Sequence, residues 1–169
     1  MAQLYVCKIC GEPYIGGDAI DDCPHCGAPK SYLRDAEEYS QLWEAELNDQ
    51  EKKDMQETLN LEVNATGYYK KVTDANEKYK EQNRLFKQLA RVEMEHAEIA
   101  AKFLNIELPE IVGEDPKGSV EKDLARTKEL ESHAVELYQK FLKNAKNPNV
   151  KNFYIALIHA EKGHLDIVS

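Results

Sequence analysis

From about residue 51 to the C-terminus, apolar positions recur with a helical period rather than alternating as in a strand. Leu85, Phe86, Leu89, Val92, Ala100 and Phe103 fall on one side of a helical wheel. Met55, Leu59 and Val72 form a similar stripe upstream, and Leu124, Val135 and Leu142 another downstream. Gly and Pro are scarce here and helix formers dominate. The pattern predicts four helices, at about 51–78, 80–104, 119–146 and 149–168. Asn147-Pro148-Asn149 breaks the last two apart. NIELPEIVGEDPKG, between the second and third, is long enough to cross the length of a bundle. Residues 1–34 differ: they are rich in Gly, Pro and Cys, with short β-like pieces such as QLYVCKIC. Residues 35–50 read as an acidic linker.

The stripes carry residues that apolar faces do not ordinarily accept. On the second helix Glu93 and His96 share the side of Leu89, Val92 and Ala100, and Glu161 and His164 repeat the pattern on the fourth. On the first helix Glu62 is followed seven residues later by Tyr69, and on the third Glu131 by Tyr138. Seven residues bring a helix back to nearly the same face. Glu62 to Glu131 and Tyr69 to Tyr138 both span 69 residues, while Glu93 to Glu161 and His96 to His164 both span 68. Thr58 with Thr127, and Ala65 with Ala134, also match at 69. These spacings support an internal duplication whose small residues leave room for a cluster at the centre. Glu95, Glu98 and His133 project away from it, as does His159 unless it contacts a ligand.

Four carboxylates and two imidazoles in an apolar bundle would repel one another and lose their hydration. Two divalent ions remove that problem, since carboxylates bridge ions and each ion takes one imidazole. One Glu from each of two helices, plus Glu-x-x-His from each of the other two, is the ligand set of di-iron carboxylate bundles. Iron fits these mixed ligands, with manganese or zinc as alternatives. One Glu-x-x-His in a Glu-rich helical chain would be surface decoration; two, in register with two Glu-x6-Tyr motifs, do not fit that reading. Tyr69 and Tyr138 are placed to hydrogen-bond the ligand carboxylates, although plain core tyrosines would show the same spacing.

CKICG and CPHCG set Cys7, Cys10, Cys23 and Cys26 as two Cys-x2-Cys pairs with twelve residues between them. Gly11 and Gly27 supply the left-handed conformation that closes such turns. Four thiolates suit zinc or a single iron, and a structural zinc ribbon has the same spacing. His25, inside the second turn, reads as exposed.

Charge narrows the function. The 169-residue chain has 31% charged residues and a net charge of −9, which argues against nucleic acid and anionic membranes as partners. Neither a membrane-spanning run nor a signal region is evident, so a cytoplasmic protein is expected. In a reducing compartment clustered cysteines read as metal ligands rather than disulfides.

On these two motif sets the chain resembles the rubrerythrin family. With the cysteine module first, it is similar to the reverse rubrerythrins found mainly in anaerobes. The resemblance implies a mainly α fold: a ferritin-like four-helix bundle (51–169) behind a small N-terminal rubredoxin-like β/loop domain (1–34). It also implies two irons held by Glu62, Glu93, His96, Glu131, Glu161 and His164, and one held by the four cysteines, with zinc as a substitute. The implied activity is a peroxidase reducing hydrogen peroxide, or dioxygen, to water. Electrons would come from NAD(P)H through a rubredoxin or a flavin reductase, a separate protein because no nucleotide-binding Gly motif occurs here. A homodimer is also implied. A ferritin-like ferroxidase or iron-binding protein, or an iron or redox sensor, are the alternatives. In one respect the chain departs from the family: Ala134 stands where a further ligand Glu is typical. The redox-linked exchange of that Glu with a His ligand is therefore not expected here.

Overall fold

The structure, a computed structural model, describes residues 3–75 and 80–169. Three short strands come first: β1 (Gln3–Cys7), β2 (Pro13–Gly16) and β3 (Leu33–Asp35). They form an antiparallel sheet of order β2-β1-β3, with Tyr5 opposite both Tyr14 and Asp35. Four helices follow: α1 (Asp49–Ala75), α2 (Lys80–Leu104), α3 (Val120–Asn144) and α4 (Pro148–Val168). Positions 76–78, expected to close the first helix, lie outside the described residues.

Local chemistry sets the helix starts. Asn48 Oδ1 accepts the N–H groups of Gln50 and Glu51, while Glu51 Oε2 accepts the N–H of Asn48 at 3.0 Å. This reciprocal capping box begins α1 at Asp49. Ser119 caps α3 through the N–H of Lys122, and Asn147 caps α4, with Pro148 in its first turn. The other oxygen of Glu51 accepts the N–H groups of Lys146 and Asn147, both at 2.8 Å. One carboxylate thus starts α1 and secures the α3–α4 turn.

The four helices make a bundle in which α1 packs on α2 and α3 on α4, with α1 also against α3. The long connection from α2 to α3 crosses α1 where two backbones nearly touch. A Cβ added at Gly67 would lie 2.4 Å from the carbonyl carbon of Val112, and one at Gly113 would lie 2.2 Å from Tyr68 N. Only glycine fits at either point. Lys71 Nζ ties the strap down through Gly113 O and Asp115, each at 2.8 Å.

The core has two parts, which keep the bundle rigid around the polar centre. One gathers Met55, Leu59, Phe141, Phe153 and Leu157 of the bundle together with Ile9, Ala28 and Leu33 of the cysteine module, and with Leu42 from the segment joining them. Module and bundle therefore share buried apolar surface. The other gathers Tyr68, Tyr69, Val72, Phe86 and Leu89. Fully burying side chains of this size is worth about 1.5–3 kcal/mol each.

Candidate metal centres

The cysteine centre is built by two tight turns. Gly11 N–H donates to Cys7 O at 2.8 Å and Gly27 N–H to Cys23 O at 3.0 Å, with both glycines at positive φ (83° and 68°). All four cysteines are buried and unbridged. Cys7 Sγ lies 3.8 Å from Cys26 Sγ, and Cys10 Sγ lies 3.8 Å from Cys23 Sγ. A tetrahedron with metal–sulfur bonds of about 2.3 Å has edges of about 3.8 Å. The thiols also compete for protons. Hydrogen bonding to Cys23, and then burial, pushes the Cys10 thiol up, whereas hydrogen bonding from Cys10 draws Cys23 down. A bound cation resolves this conflict by letting all four ionise.

The second centre lies between the four helices. Glu62, Glu93, His96 and Glu161 form one buried group and Glu93, Glu131, Glu161 and His164 another, each with its ligand atoms within 4.8 Å of one another. Glu93 and Glu161 belong to both, as bridging ligands would. His96 Nδ1 lies 2.9 Å from Glu93 Oε2, 3.3 Å from Glu161 Oε1 and 3.8 Å from Glu62 Oε1. His164 Nδ1 lies 3.0 Å from Glu161 Oε2, 3.1 Å from Glu93 Oε1 and 3.3 Å from Glu131 Oε2. Glu93 Oε1 and Glu161 Oε1 are buried and form no well-aligned hydrogen bond, although His164 Nδ1 and His96 Nδ1 lie 3.1 and 3.3 Å from them.

The two tyrosines cross over. Tyr69 on α1 donates to Glu131 Oε1 on α3, and Tyr138 on α3 donates to Glu62 Oε1 on α1. Burial, then the charges of Glu161 and Glu93, push Glu62 and Glu131 well above the usual carboxylate range. Both imidazoles are also pushed up: the surrounding carboxylates outweigh burial, which alone would lower them. The donor set therefore holds protons wherever it lacks cations. Two divalent ions would balance four carboxylates and leave the imidazoles neutral, so the residues fit a metal pair.

The centres meet directly. His96 Nε2 lies 2.9 Å from the backbone carbonyl oxygen of Cys26.

Two family models match the chain: "Rubrerythrin, rubredoxin-like domain" over residues 5–34 and "Rubrerythrin" over residues 53–169. The chain belongs to the rubrerythrin family. No curated protein and no solved structure gives a significant match. The rubrerythrin match and the two donor sets together assign iron to both centres: a rubredoxin-like site and a non-haem di-iron site. The rubredoxin-like domain marks the chain for electron transfer with a redox partner. No helix among the described residues is long and apolar enough to cross a membrane.

The rubrerythrin bundle brings together every acid and imidazole expected from the two motif sets. Ala134 and Ala65 are both buried, and no further acid joins either group among the described residues. His133 is exposed, as expected. His159 bonds Asp22 at 2.6 Å instead of a ligand. Glu95, Glu98 and His25 are half-buried rather than exposed; Glu95 and His25 line one cleft, where the cysteine module packs against α2. Three buried acids were missed: Glu51, Asp54 and Asp123. Asp54 and Asp123 are themselves 69 residues apart, a further match of the duplication. Asp123 accepts from Tyr68 Oη at 2.8 Å and Asp54 from Asn144 Nδ2 at 3.0 Å, so both act as structural acceptors.

Proposed function

We propose that the chain is a peroxidase, an oxidoreductase that reduces hydrogen peroxide to two waters with electrons drawn through its own cysteine centre. The observation that carries this reading is the contact between His96 Nε2 and the Cys26 carbonyl. A bundle that only stores iron needs no one-electron centre in hydrogen-bond contact with its ligands. Cysteine centre and bundle make this contact within one chain, so no partner chain is required for the route.

Peroxide takes up two electrons and two protons to become two waters. When bound, the iron pair supplies both electrons and the thiolate iron replaces them singly. Glu62, Glu93, His96, Glu131, Glu161 and His164 would hold the pair between the four helices. Both imidazoles turn Nδ1 towards the carboxylates, making Nδ1 the ligating atom. His96 keeps its proton on Nε2, donating it to Cys26 O, which fixes the ring and its tautomer. Tyr69 and Tyr138 keep their phenol protons, since burial and the nearby carboxylates push both well above the ordinary range. Those protons hold one oxygen each of Glu131 and Glu62, leaving the other oxygen for metal. With Ala134 in place of a further Glu, no other carboxylate among the described residues stands ready to replace His96 or His164, which would hold the irons in both redox states. The electron source is a separate NAD(P)H-dependent flavin reductase, acting directly or through a rubredoxin.

With such a reductase, the iron-loaded protein should consume peroxide catalytically at the expense of NADH. Cys10→Ser in the full chain should stop NADH-linked turnover yet leave the single oxidation of the reduced iron pair by peroxide. Equal NADH-driven rates for the two proteins would exclude the route. Uptake of many irons per chain would mark a storage protein instead.

A further inference from the structure

The four cysteines are covered, so a donor must approach the thiolate iron through whatever lies over it. The two turns differ in what covers them. In the first, Ile9 is buried, and Gly11 is overlain by Tyr39 and Trp43, whose Oη and Cη2 atoms would lie 2.7 and 3.0 Å from an added Cβ. In the second, Pro24 is exposed and His25 half-buried. These two residues form one wall of a cleft of about 820 Å³ against α1 and α2.

The rest of the cleft has a distinct chemistry. Ala90 and Met94 give it an apolar part, and Lys70, Lys87 and Arg91 line it as exposed cations. None of the three makes an ion pair with a described residue. Asp74 and Glu95 also line it, leaving an excess of one positive charge in a chain whose net charge is −9. We infer that this cleft is the docking surface for an electron-transfer protein with an acidic surface around its redox group, which would sit over Pro24 and His25.

The inference rests on the peroxidase reading and gives its electron route an entrance. Three exposed cations spread over two helices attract a broad acidic face, here beside the turn that covers the thiolate iron, in a chain whose overall negative charge would otherwise repel such a partner. A small phosphate is less well served: Asp74 and Glu95 line the cleft beside the cations and oppose it. Entrance and exit then share one turn, with the donor at Pro24-His25 and His96 at the carbonyl of the next residue, Cys26.

The test is stopped-flow reduction of the oxidised thiolate iron in the holoprotein, with a reduced, negatively charged rubredoxin as donor. Lys70→Glu/Lys87→Glu/Arg91→Glu should slow the second-order rate by about tenfold at low salt and remove its decline with ionic strength. Lys128→Glu/Lys140→Glu/Lys143→Glu, with an equal change in net charge on α3, should slow it by less than about threefold. Photoreduced lumiflavin, small and uncharged, should reduce all three proteins at one rate. Equal slowing by the two charge reversals overturns the docking surface, as does competition by flavin mononucleotide, which would assign the cleft to a small anion. If wild-type thiolate iron is reduced by lumiflavin but never passes its electron to the iron pair, the peroxidase route falls even where docking holds.

Discussion

The two halves of the bundle, α1–α2 and α3–α4, begin as copies and end with different work. Each gives a Glu and Tyr from one helix and a Glu-x-x-His from the other, and the tyrosines exchange partners across the pair. The differences lie at the edges of that set. His96 has its outer nitrogen on the Cys26 carbonyl, whereas nothing among the described residues takes Nε2 of His164. Tyr154 lies with its Oη 3.3 Å from Thr58 Oγ1, while Phe86, its counterpart 68 residues earlier, has no hydroxyl to offer Thr127. A duplicated site thus keeps the symmetry its metals need and loses it in how the cysteine module meets each half: on α2 through the ligand His96, on α4 through Asn152, His159 and Ala160, none of them a ligand. On the proposed route, asymmetry of contact rather than of ligands would make α2 the side that receives electrons.

The largest expected effect tests the shared part. Glu93→Ala and Glu161→Ala should each lose at least one of the two irons by metal analysis, with helicity by circular dichroism nearly intact. Retention of both irons in both variants would remove these residues from the ligand set. A smaller effect separates the halves. In iron-loaded samples His96→Gln should slow electron passage from the thiolate iron to the pair by about tenfold more than His164→Gln does. Equal slowing, followed by rapid mixing, would mean that the Cys26 contact carries no current.

The equivalence of the halves was legible in the chain because ligand chemistry is local: three-residue and seven-residue spacings put side chains on one face without reference to anything else. Pairings between elements were not legible. Tyr69 sits seven residues from Glu62, a rise of about 10 Å, so it cannot reach the carboxylate on its own helix and bonds Glu131 instead. His96 and Cys26 are 70 residues apart, and no periodicity connects them. Glu51 could have been found, since Asn48-x-x-Glu51 has the form of a capping box; its grip on the α3–α4 turn could not.

Glu51 joins the halves, so weakening it sharpens the comparison further. Burial alone would raise its carboxyl, yet N–H donation from Asn147, Asn48 and Lys146 holds it below the ordinary value. A depressed folded value means stability that is present above the unfolded pKa and lost as pH falls through the folded one. Glu51→Gln should therefore cost about 1–3 kcal/mol near neutral pH, and urea melts should show the gap to wild type closing in acid. Gly27 gives the smallest effect. Its added Cβ would lie 2.9 Å from Ala160 Cβ, at a φ of 68°. Gly27→Ala should lower stability by about 1–2 kcal/mol and slow electron passage without loss of iron from the carboxylate centre. A variant as stable as wild type would show that the module does not bear on α4 there.

The two buried carboxylate oxygens without a well-aligned hydrogen bond, on Glu93 and Glu161, reach beyond chemistry at the site. Cations bound to the folded bundle and not to the unfolded chain would stabilise the fold by the free energy of their binding. Chains made when iron is scarce would open more often and be cleared sooner by proteases. Loss of the irons would then read out as a lower unfolding midpoint and faster proteolysis of the bundle in vitro.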